Sequence, residues 1–404
     1  MKVLLVGSGG REHALAWRLA RRDGLVELHA APGNPGIAAL GHCHPVRAED
    51  GEGLLALAGE LGIDLVVVGP EVPLVAGVAD QLRRGGIAVF GPSAAAARIE
   101  GSKSFAKDVM TAAGVPVAEA VSVARPPCVV KADGLAAGKG VFVCRTRDEL
   151  DAGLRAASAL GGQIVIEELL EGDEISVFAL CDGHTAVALP AAQDFKRAFD
   201  GDEGPNTGGM GSYSPVPGWG PAEVEEALDL AHRPVLAELA ARGTPFVGAL
   251  FAGLMLTADG PKVLEFNCRF GDPETQSILP LVEGDLLGAL WAAARGELSA
   301  NALPAPAGSA VTVVLAAGGY PEAGDAGSPI DGVAEAGAAG ALVFHAGTAL
   351  RDGSLVTNGG RILGVTGVAP TLAEARSRAY EGADLISFSG MRYRSDIALE
   401  AARG

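Results

Sequence analysis

The chain begins with a short apolar strand, a glycine turn and an amphipathic helix in direct succession. The apolar run Val3–Val6 ends at the turn Gly7–Gly10, and leucines and alanines then recur with helical spacing through Arg11–Arg22. A strand that enters a helix through glycines opens a parallel α/β unit of the kind that binds a nucleotide or a phosphate. This start predicts a parallel sheet flanked by helices at the N-terminal end.

The strand pattern divides the chain into three parts. More strands of the first sheet are predicted at Leu28–Ala30, Asp64–Val68 and Ile87–Phe90. Because 404 residues are long for one core, we predict a multidomain protein of mixed α/β and α+β class. The predicted parts are an N-terminal parallel α/β domain (1–101), a central domain (102–310) with a flap subdomain (about 122–185), and a C-terminal α/β domain (311–404).

Composition excludes several functional classes. Hydrophobic residues make up 49% and charged residues 20% of the chain, which is typical of a well-packed globular protein. The net charge of −18 disfavours a broad surface for nucleic acid or for an anionic membrane. The five cysteines include no CxxC pair, which indicates reduced thiols. We expect a cytoplasmic protein, a monomer or weak dimer, without a nucleic-acid or membrane partner.

The first glycine turn predicts a phosphate site and not a dinucleotide site. Glu12 stands where a dinucleotide fingerprint has its third glycine, and no acidic residue ends the second strand. What remains is a backbone cradle at Gly9 and Gly10 that suits one phosphate, or a tight turn without a ligand. Asn34 and Glu71 follow other strands of the same sheet, so they meet this turn at its carboxyl edge.

A second glycine-rich segment lies between two predicted strands, Val129–Asp133 and Val141–Cys144. It resembles a P-loop, but Asp133 replaces the first glycine and a strand follows in place of a helix. A glycine-rich hairpin of this kind is a mobile flap that can close over phosphates. Lys131 at the strand end and Lys139 in the flap would then meet the phosphates, unless both are merely solvated.

A long segment over 194–220 has little periodicity and is too long for an idle connection. Its sequence Gly204-Pro-Asn-Thr-Gly-Gly-Met-Gly211 can form an anion nest from successive backbone N–H groups. Asn206 and Thr207 would orient the bound carboxylate or phosphate, and Asp194 and Lys196 lie just upstream.

The strand Lys262–Asn267 carries the strongest signal for chemistry. Its alternation places Glu265, Asn267 and Arg269 on one face, within about 7 Å of one another along the strand. A carboxylate and an amide oxygen are ligands that suit Mg²⁺, and an arginine beside them can neutralise a phosphoryl group in transfer. The alternative is a polar edge strand that runs into an ordinary turn.

These motifs together resemble the phosphoribosylamine–glycine ligase family, ATP-grasp enzymes of purine biosynthesis. The resemblance runs along the whole chain and is carried by the following segments: Gly7–His13, Lys131–Gly140, Gly204–Pro215, Glu265–Gln276, Thr357–Arg361 and Arg394–Ile397. The family tail usually reads Arg-Ser-Asp-Ile-Gly, whereas Ala398 stands last here.

The resemblance implies a role for each matched residue. ATP would bind between the flap and the central sheet, with a metal ion, Mg²⁺ or Mn²⁺, on Glu265 and Asn267. The implied ATP-binding residues are Lys103, Lys131, Lys139, Glu167, Glu168, Leu170 and Glu174. The implied substrate-binding residues are Gly9, Gly10, Asn34, Glu71, Asp194, Lys196, Asn206, Thr207, Gly208, Arg269, Asn358, Gly359 and Arg361. The implied catalytic residues are Arg269, Lys139 and Lys131.

The implied reaction is ATP-driven ligation of glycine to 5-phosphoribosylamine through glycyl phosphate, with ADP and phosphate released. An ATP-grasp ligase or carboxylase with another acid substrate shares the same ATP machinery and is the main alternative. A nicotinamide-dependent oxidoreductase would explain the N-terminal glycines but not the Glu265 strand. A ligand-binding protein without catalysis would leave both the metal pair and the flap unexplained.

Overall fold

The N-terminal part is a five-stranded parallel sheet with the strand order β3-β2-β1-β4-β5. The computed structural model describes all residues except 22, 23, 25, 26 and 136–139. The strands are β1 (Lys2–Gly7), β2 (Glu27–Pro32), β3 (His42–Cys43), β4 (Leu65–Val68) and β5 (Ala88–Phe90). The helices are α1 (Gly10–Leu19), α2 (Pro35–Ala38), α3 (Gly51–Leu61), α4 (Glu71–Val75), α5 (Val78–Arg84) and α6 (Ala94–Gly101). The predicted parallel α/β domain is confirmed.

The strand order of this sheet also fixes where it binds ligands. Side chains on both faces of β1 and β4 are fully buried, as the continuous apolar runs require. The order reverses between β1 and β4, and ligands of such sheets bind in the crevice beyond the carboxyl ends at that point. The turn after β1 and the Pro70–Glu71 corner after β4 both lie there.

Helix α7 (Lys103–Ala112) leads into a small antiparallel sheet with the order β7-β6-β8. Its elements are β6 (Cys128–Ala132), β7 (Val141–Cys144), α8 (Arg147–Leu160) and β8 (Ile164–Glu168). Thr146 caps α8 by accepting the N–H of Glu149, which reaches back in a capping box. This unit has a small hydrophobic core of its own, in which Leu150 of α8 packs with Val130 and Cys144. This unit is the predicted flap.

The central sheet has the antiparallel order β10-β9-β15-β16 and faces the flap. The strands from here to the hairpin are β9 (Asp173–Asp182), β10 (Ala186–Ala188), β11 (Gln193–Asp194), β12 (Arg197–Phe199), β13 (Glu203–Asn206), β14 (Gly211–Ser214), β15 (Val247–Thr257) and β16 (Gly260–Asn267). The helices are α9 (Pro221–Ala227), α10 (Arg233–Ala241), α11 (Glu274–Ile278) and α12 (Leu286–Ala294).

The C-terminal part contributes β17 (Ser309–Ala316), β18 (Asp325–Pro329), β19 (Leu342–His345), β20 (Thr348–Arg351), β21 (Ser354–Gly359) and β22 (Arg361–Ala369), with α13 (Val333–Ala338) and α14 (Leu372–Asp384). Its main sheet has the order β11-β14-β17-β22-β19, so two strands from the central segment complete it. A second sheet of three strands has the order β18-β21-β20.

The structure differs from the sequence predictions at three places. The segment 194–220, predicted to be aperiodic, contains four short strands: β12 pairs with β13, β11 pairs with β14, and β14 pairs with the distant strand β17. Strand β9 belongs to the central sheet and not to the flap, within whose predicted bounds it fell. The pattern from Ala222 to about Arg242 predicts one helical stretch with a kink or break at Pro234; the structure has a wider helical turn at Leu228–His232 between α9 and α10, and Pro234 lies in the first turn of α10.

No single helix in the described part of the chain is long and apolar enough to cross a membrane. One pair, Glu274–Leu281 with Leu286–Ala294, meets the length and composition criteria only when taken together, and it is bent by 113°.

Candidate active site

The crevice beyond β1 and β4 contains a cavity of about 360 Å³ at the first glycine turn. Its lining residues are Gly7, Ser8, Gly9, Arg11, Glu12, Pro32, Arg47, Ala48, Glu49, Pro70 and Asp272. Gly9 lines this cavity, and Glu71 directly follows the lining residue Pro70. Arg47, whose side chain is largely exposed, is a cation at the cavity that was not predicted, because in the sequence it resembles an ordinary surface arginine.

The carboxylate of Glu12 fills the glycine turn itself. Its Oε2 accepts the Gly9 N–H at 2.6 Å and its Oε1 accepts Arg11 Nε at 2.6 Å, while the residue is only 1% exposed. A β-carbon at Gly69 would lie 2.1 Å from Glu12 Oε1, so this carboxylate requires a glycine there. The Glu12 carboxylate therefore already occupies part of the turn that was predicted to bind a phosphate.

Asn34 is occupied by structural contacts. Its Nδ2 donates to the Ser8 carbonyl at 2.9 Å and to the His345 carbonyl at 2.8 Å, and its Oδ1 accepts the Ile37 N–H at 3.0 Å. The amide thereby caps α2 and ties the first glycine turn to the C-terminal part. Asn34 acts on the cavity by positioning its wall.

A chain of alternating charges links the first glycine turn to the β16 strand. Arg11 Nη1 donates to the Phe270 carbonyl at 3.1 Å and lies 4.0 Å from Glu71 Oε2. Arg269 Nε lies 3.3 Å from the same Glu71 oxygen. Burial by itself would raise the pKa of Glu71, but the charges of Arg269 and Arg11 outweigh it and hold that pKa below its ordinary value.

Each nitrogen of the Arg269 guanidinium has a protein partner. Nη2 donates to Asn267 Oδ1 at 3.2 Å and pairs with Glu100 Oε1 at 3.2 Å, and Nη1 donates to the Phe270 carbonyl at 3.2 Å. Arginine has five N–H groups, so only a small part of its donor capacity is left for a substrate. Glu100, which also accepts the Cys268 N–H at 2.8 Å, was missed from sequence because it resembles an ordinary helix-end glutamate.

Four cationic side chains converge on Glu265. Burial would raise the pKa of this carboxyl, but the charges of Lys196, Lys103, Lys131 and Arg269 lower it, so Glu265 is ionised. The neighbouring Asn267 is 7% exposed, and its Nδ2 has no hydrogen-bond partner in the described part of the chain.

Glu265 and Asn267 fit a divalent metal ion as a partial ligand set. A carboxylate and an amide oxygen are hard donors, and Mg²⁺ is commonly held by one or two protein groups together with substrate phosphates and water. No cluster of three or more His, Cys, Asp or Glu side chains suited to a metal occurs among the described residues. The remaining ligands would therefore come from the nucleotide.

On the flap side, Glu167 joins two lysines. Its Oε2 lies 2.6 Å from Lys131 Nζ and its Oε1 lies 2.6 Å from Lys107 Nζ. Lys131 also donates to the Leu264 carbonyl on β16 at 3.1 Å, which ties the flap to the central sheet. Lys103 begins α7, where its N–H donates to Asp133 at 2.6 Å. Lys139 lies outside the described residues.

The end of β8 carries residues that the resemblance assigns to ATP. Lys262 lies 2.8 Å from Glu168 Oε1, and this bond together with the N–H of Glu119 lowers the pKa of Glu168. Strand β8 is an edge strand, and Leu170 follows it as a largely buried residue. Glu174 at the start of β9 is paired with Lys196, although sequence had assigned the two residues to different substrates.

A buried acid cluster lies beside Lys196. Burial raises the pKa of Asp194 to about 8; the Lys196 charge opposes the shift and the Glu274 carboxylate adds to it. Glu274, 3% exposed, accepts the Ser176 hydroxyl at 3.3 Å. Sequence missed Glu274 because a lone glutamate after a proline is typical of a helix start.

The second glycine turn is fixed by residues of the C-terminal part. Gly208 N–H donates to the Tyr320 hydroxyl at 2.8 Å, and Arg361 Nη1 donates to the Gly208 and Asp272 carbonyls at 2.5 and 2.8 Å. Thr207 Oγ1 donates to the Lys196 carbonyl at 2.9 Å and accepts the Gly209 N–H at 3.0 Å.

The remaining predicted substrate residues lie around this turn. Asn206 ends β13 opposite Arg197, and Asn358 is an exposed residue of β21. Gly359 ends β21 and packs against Gly347, where a β-carbon would lie 2.9 Å from the Gly359 Cα. Asn358 and Gly359 precede Arg361 in the chain by three and two positions. Neither is a partner in the hydrogen bonds that Arg361 donates to the Gly208 and Asp272 carbonyls.

The family of the chain is shown by comparison with known proteins. Family models described as phosphoribosylglycinamide synthetase match it in three parts: the N domain over residues 1–100, the ATP-grasp (A) domain over 101–275 and the C domain over 310–400. The chain belongs to the phosphoribosylglycinamide synthetase family. This confirms the resemblance, the ATP-grasp fold and the ligase class, and the family uses ATP with a divalent metal ion.

Individual relatives agree with this assignment. A protein of Streptomyces coelicolor named phosphoribosylamine–glycine ligase is 50% identical, with 100% of each chain covered. One of Brucella melitensis with the same name is 49% identical over 99% of this chain and 98% of its own. The crystal structure of the ligase of that name from Thermotoga maritima matches with a TM-score of 0.86 and 37% identity, over 98% of this chain and all of the other.

The carboxylases are distant structural neighbours. The biotin carboxylase domain of a Hydrogenobacter thermophilus 2-oxoglutarate carboxylase matches with a TM-score of 0.72 over 97% of this chain and 91% of the other. The two sequences are only 18% identical, so this likeness shows the ATP-grasp fold alone.

Proposed function

We propose that this chain ligates glycine to 5-phosphoribosylamine with ATP, forming glycinamide ribonucleotide, ADP and phosphate in purine biosynthesis, through a glycyl phosphate intermediate. The observation that carries the proposal is the contact of Lys131 Nζ with the Leu264 carbonyl at 3.1 Å, directly beside Glu265, whose pKa is lowered by the charges of Lys196, Lys103, Lys131 and Arg269. This density of positive charge between the flap and the central sheet suits a nucleotide triphosphate.

The substrates occupy two ends of one cleft in this proposal. ATP lies between the flap and β16, with its phosphates at Lys103, Lys131 and Lys139 and its adenine along the end of β8. The 5-phosphoribosylamine lies in the cavity at the first glycine turn, near Glu71. Glycine lies between them, beside Asp194, Lys196 and the second glycine turn. A divalent metal ion, Mg²⁺ or Mn²⁺, on Glu265 and Asn267 would screen the phosphate charge.

The reaction proceeds in two displacements. A carboxylate oxygen of glycine attacks the γ-phosphorus, the bond to the β-phosphate oxygen breaks, and ADP leaves. The amine of phosphoribosylamine then attacks the acyl carbon, phosphate leaves, and the amine loses a proton. Lys196 and the lysines of the flap neutralise the phosphoryl charge in both steps. The closed flap protects the acyl phosphate from water.

Isotope transfer tests this mechanism. Glycine labelled with ¹⁸O in its carboxylate should deliver one label into phosphate at each turnover, and ADP should accumulate. AMP with pyrophosphate, or unlabelled phosphate, would contradict it. In a companion assay, Glu265→Gln should lower kcat/KM by at least 100-fold, about 2.7 kcal/mol, because the metal loses its only charged protein ligand. Normal turnover of this variant at limiting metal would remove Glu265 from the metal site.

Omission of single substrates separates this function from its alternative. Phosphate release should require both glycine and phosphoribosylamine, whereas a ligase or carboxylase for another acid would not respond to glycine. The proposal extends to a monomer or weak dimer in the cytoplasm with small-molecule partners only. It also keeps the division into domains at 1–101, 102–310 and 311–404.

A further inference from the structure

The tail segment Arg394–Asp396 is bound to a hairpin nearly 200 residues earlier in the chain. The Arg394 side chain is 1% exposed, and its Nη1 donates to Asp202 Oδ1 at 2.7 Å and to the Arg197 carbonyl at 3.1 Å. Nε and Nη2 donate to the two oxygens of Asp396 at 2.7 Å each. One buried guanidinium thus joins the tail to the hairpin.

The other two tail residues contact the same hairpin. Ser395 N–H donates to Asp200 Oδ1 at 2.8 Å, and its hydroxyl donates to the other oxygen of that carboxylate. Asp396 Oδ2 accepts the Gly201 N–H at 2.8 Å. Among the described residues, the hydrogen bonds that the tip Asp200–Asp202 makes outside the hairpin all go to this tail.

The base of the hairpin carries residues of the proposed site. Strands β12 and β13 run directly from Lys196 to Thr207, and Thr207 N–H donates back to the Lys196 carbonyl at 2.7 Å. The tip residues are exposed and contribute nothing to the hydrophobic core. The orientation of the hairpin is therefore set at its base, by Lys196 and Thr207, and at its tip, Asp200–Asp202, which the tail holds in place.

We propose that Arg394 is a positioning residue for ligation: through the β12–β13 hairpin it sets where Lys196 and Thr207 stand against glycine and the acyl phosphate. The inference rests on the proposed function, which gives Lys196 and Thr207 that task. Arginine is required because its planar fork bonds two carboxylates and a carbonyl at once. Lysine, a single point charge on a flexible stem, holds only one of these partners well.

The test compares Arg394→Lys and Asp202→Asn with a matched control, Arg378→Ala. Arg378 is exposed on α14 and donates to the Val368 carbonyl, away from the hairpin. For Arg394→Lys we expect kcat/KM for glycine to fall about 10- to 100-fold, the cost of a misplaced reacting group. KM for ATP should stay close to the wild type, while the melting temperature should fall because buried hydrogen bonds are lost. Arg378→Ala should change none of these quantities.

Hydrogen exchange gives a readout that does not need turnover. Amides of residues 195–207 should exchange faster in Arg394→Lys and in Asp202→Asn, and at the wild-type rate in the control. Faster exchange with unchanged glycine kinetics would overturn the proposal, and so would a parallel rise of KM for all three substrates. If the wild type does not use glycine, the proposed function fails, while exchange still reports whether the tail holds the hairpin.

Discussion

The two glycine turns of the site are held in opposite ways. The first is closed by Glu12, three residues from the Gly9 N–H that it accepts. The second is held by Tyr320 and Arg361, which are 112 and 153 positions away from Gly208. The carboxylate that closes the first turn therefore comes from the N-terminal part itself, whereas the groups that hold the second turn come from the C-terminal part.

The two turns also differ in charge. At the first, a carboxylate already accepts the backbone N–H, and its charge is balanced by Arg11. At the second, the N–H groups of Gly208 and Gly209 are satisfied by neutral hydroxyls. An anion can replace a neutral hydroxyl without meeting a like charge, so the second turn is the more adaptable anion site.

Glu12→Ala should lower the free energy of unfolding by about 3–5 kcal/mol, because it leaves the buried Arg11 guanidinium and the Gly9 N–H without their partner. Denaturant unfolding followed by circular dichroism measures this loss. The control is Glu52→Ala, which removes an exposed glutamate from the first turn of α3. A loss below about 0.5 kcal/mol for Glu12→Ala, the range of ordinary surface changes, would mean that the first turn does not depend on its carboxylate.

Arg361→Met should act mainly on turnover. It removes the bonds to the Gly208 and Asp272 carbonyls, so the second turn loses its link to the C-terminal part. We expect kcat/KM for glycine to fall about tenfold, equivalent to about 1.4 kcal/mol. Steady-state kinetics with Arg351→Met, an exposed arginine of β20, provide the matched comparison. Equal kinetics for the two variants would show that the second turn does not depend on its link to the C-terminal part.

Tyr320→Phe should have a smaller effect, because it deletes one neutral hydrogen bond at a partly exposed position. The expected loss in the free energy of unfolding is about 0.5–1.5 kcal/mol. Phosphate binding, followed by the rise in melting temperature, should be retained, since the freed Gly208 N–H can donate to an anion. Tyr393→Phe, whose hydroxyl bonds Asp384 away from this turn, is the control. Loss of phosphate binding in Tyr320→Phe alone would argue against an anion site here.

Ala398→Gly should stabilise the protein slightly. Ala398 is 1% exposed and has a φ of 56°, a left-handed conformation that costs an L-residue about 1–2 kcal/mol. Glycine removes this strain but loses about 0.4–1 kcal/mol through its freer unfolded chain, which leaves a net gain of roughly 0.5 kcal/mol. Ala402→Gly, in the short helix Ala401–Arg403, should destabilise in the same unfolding experiment. A loss of stability in Ala398→Gly would show that this conformation carries no strain.

Local patterns made much of the fold predictable. Strand β7 has the predicted bounds Val141–Cys144, because a short apolar run defines it within a few positions. The face shared by Glu265, Asn267 and Arg269 followed from strand alternation, and the contact between Arg269 and Asn267 agrees with it.

Partners distant in sequence made the rest unpredictable. Strands β11 and β14 are polar and short, and only pairing with β17 gives them their place. Glu100 and Glu274 look like surface glutamates until the fold buries them against Arg269 and Ser176. Glu12 differs from these residues because its partner is close in sequence. Its spacing from Gly9 is that of a capping box, which indicates a contact with the turn.

The sheet that combines β14 with β17 affects how the chain emerges from the ribosome. Gly211–Ser214 is synthesised about 95 residues before Ser309–Ala316, its neighbour in the sheet. At roughly 5–20 residues per second, one edge of β14 stays open for about 5–20 seconds of translation. An open strand edge can pair with another chain, so nascent protein is most exposed to aggregation in this interval. A pause in translation between these two strands would lengthen that exposure.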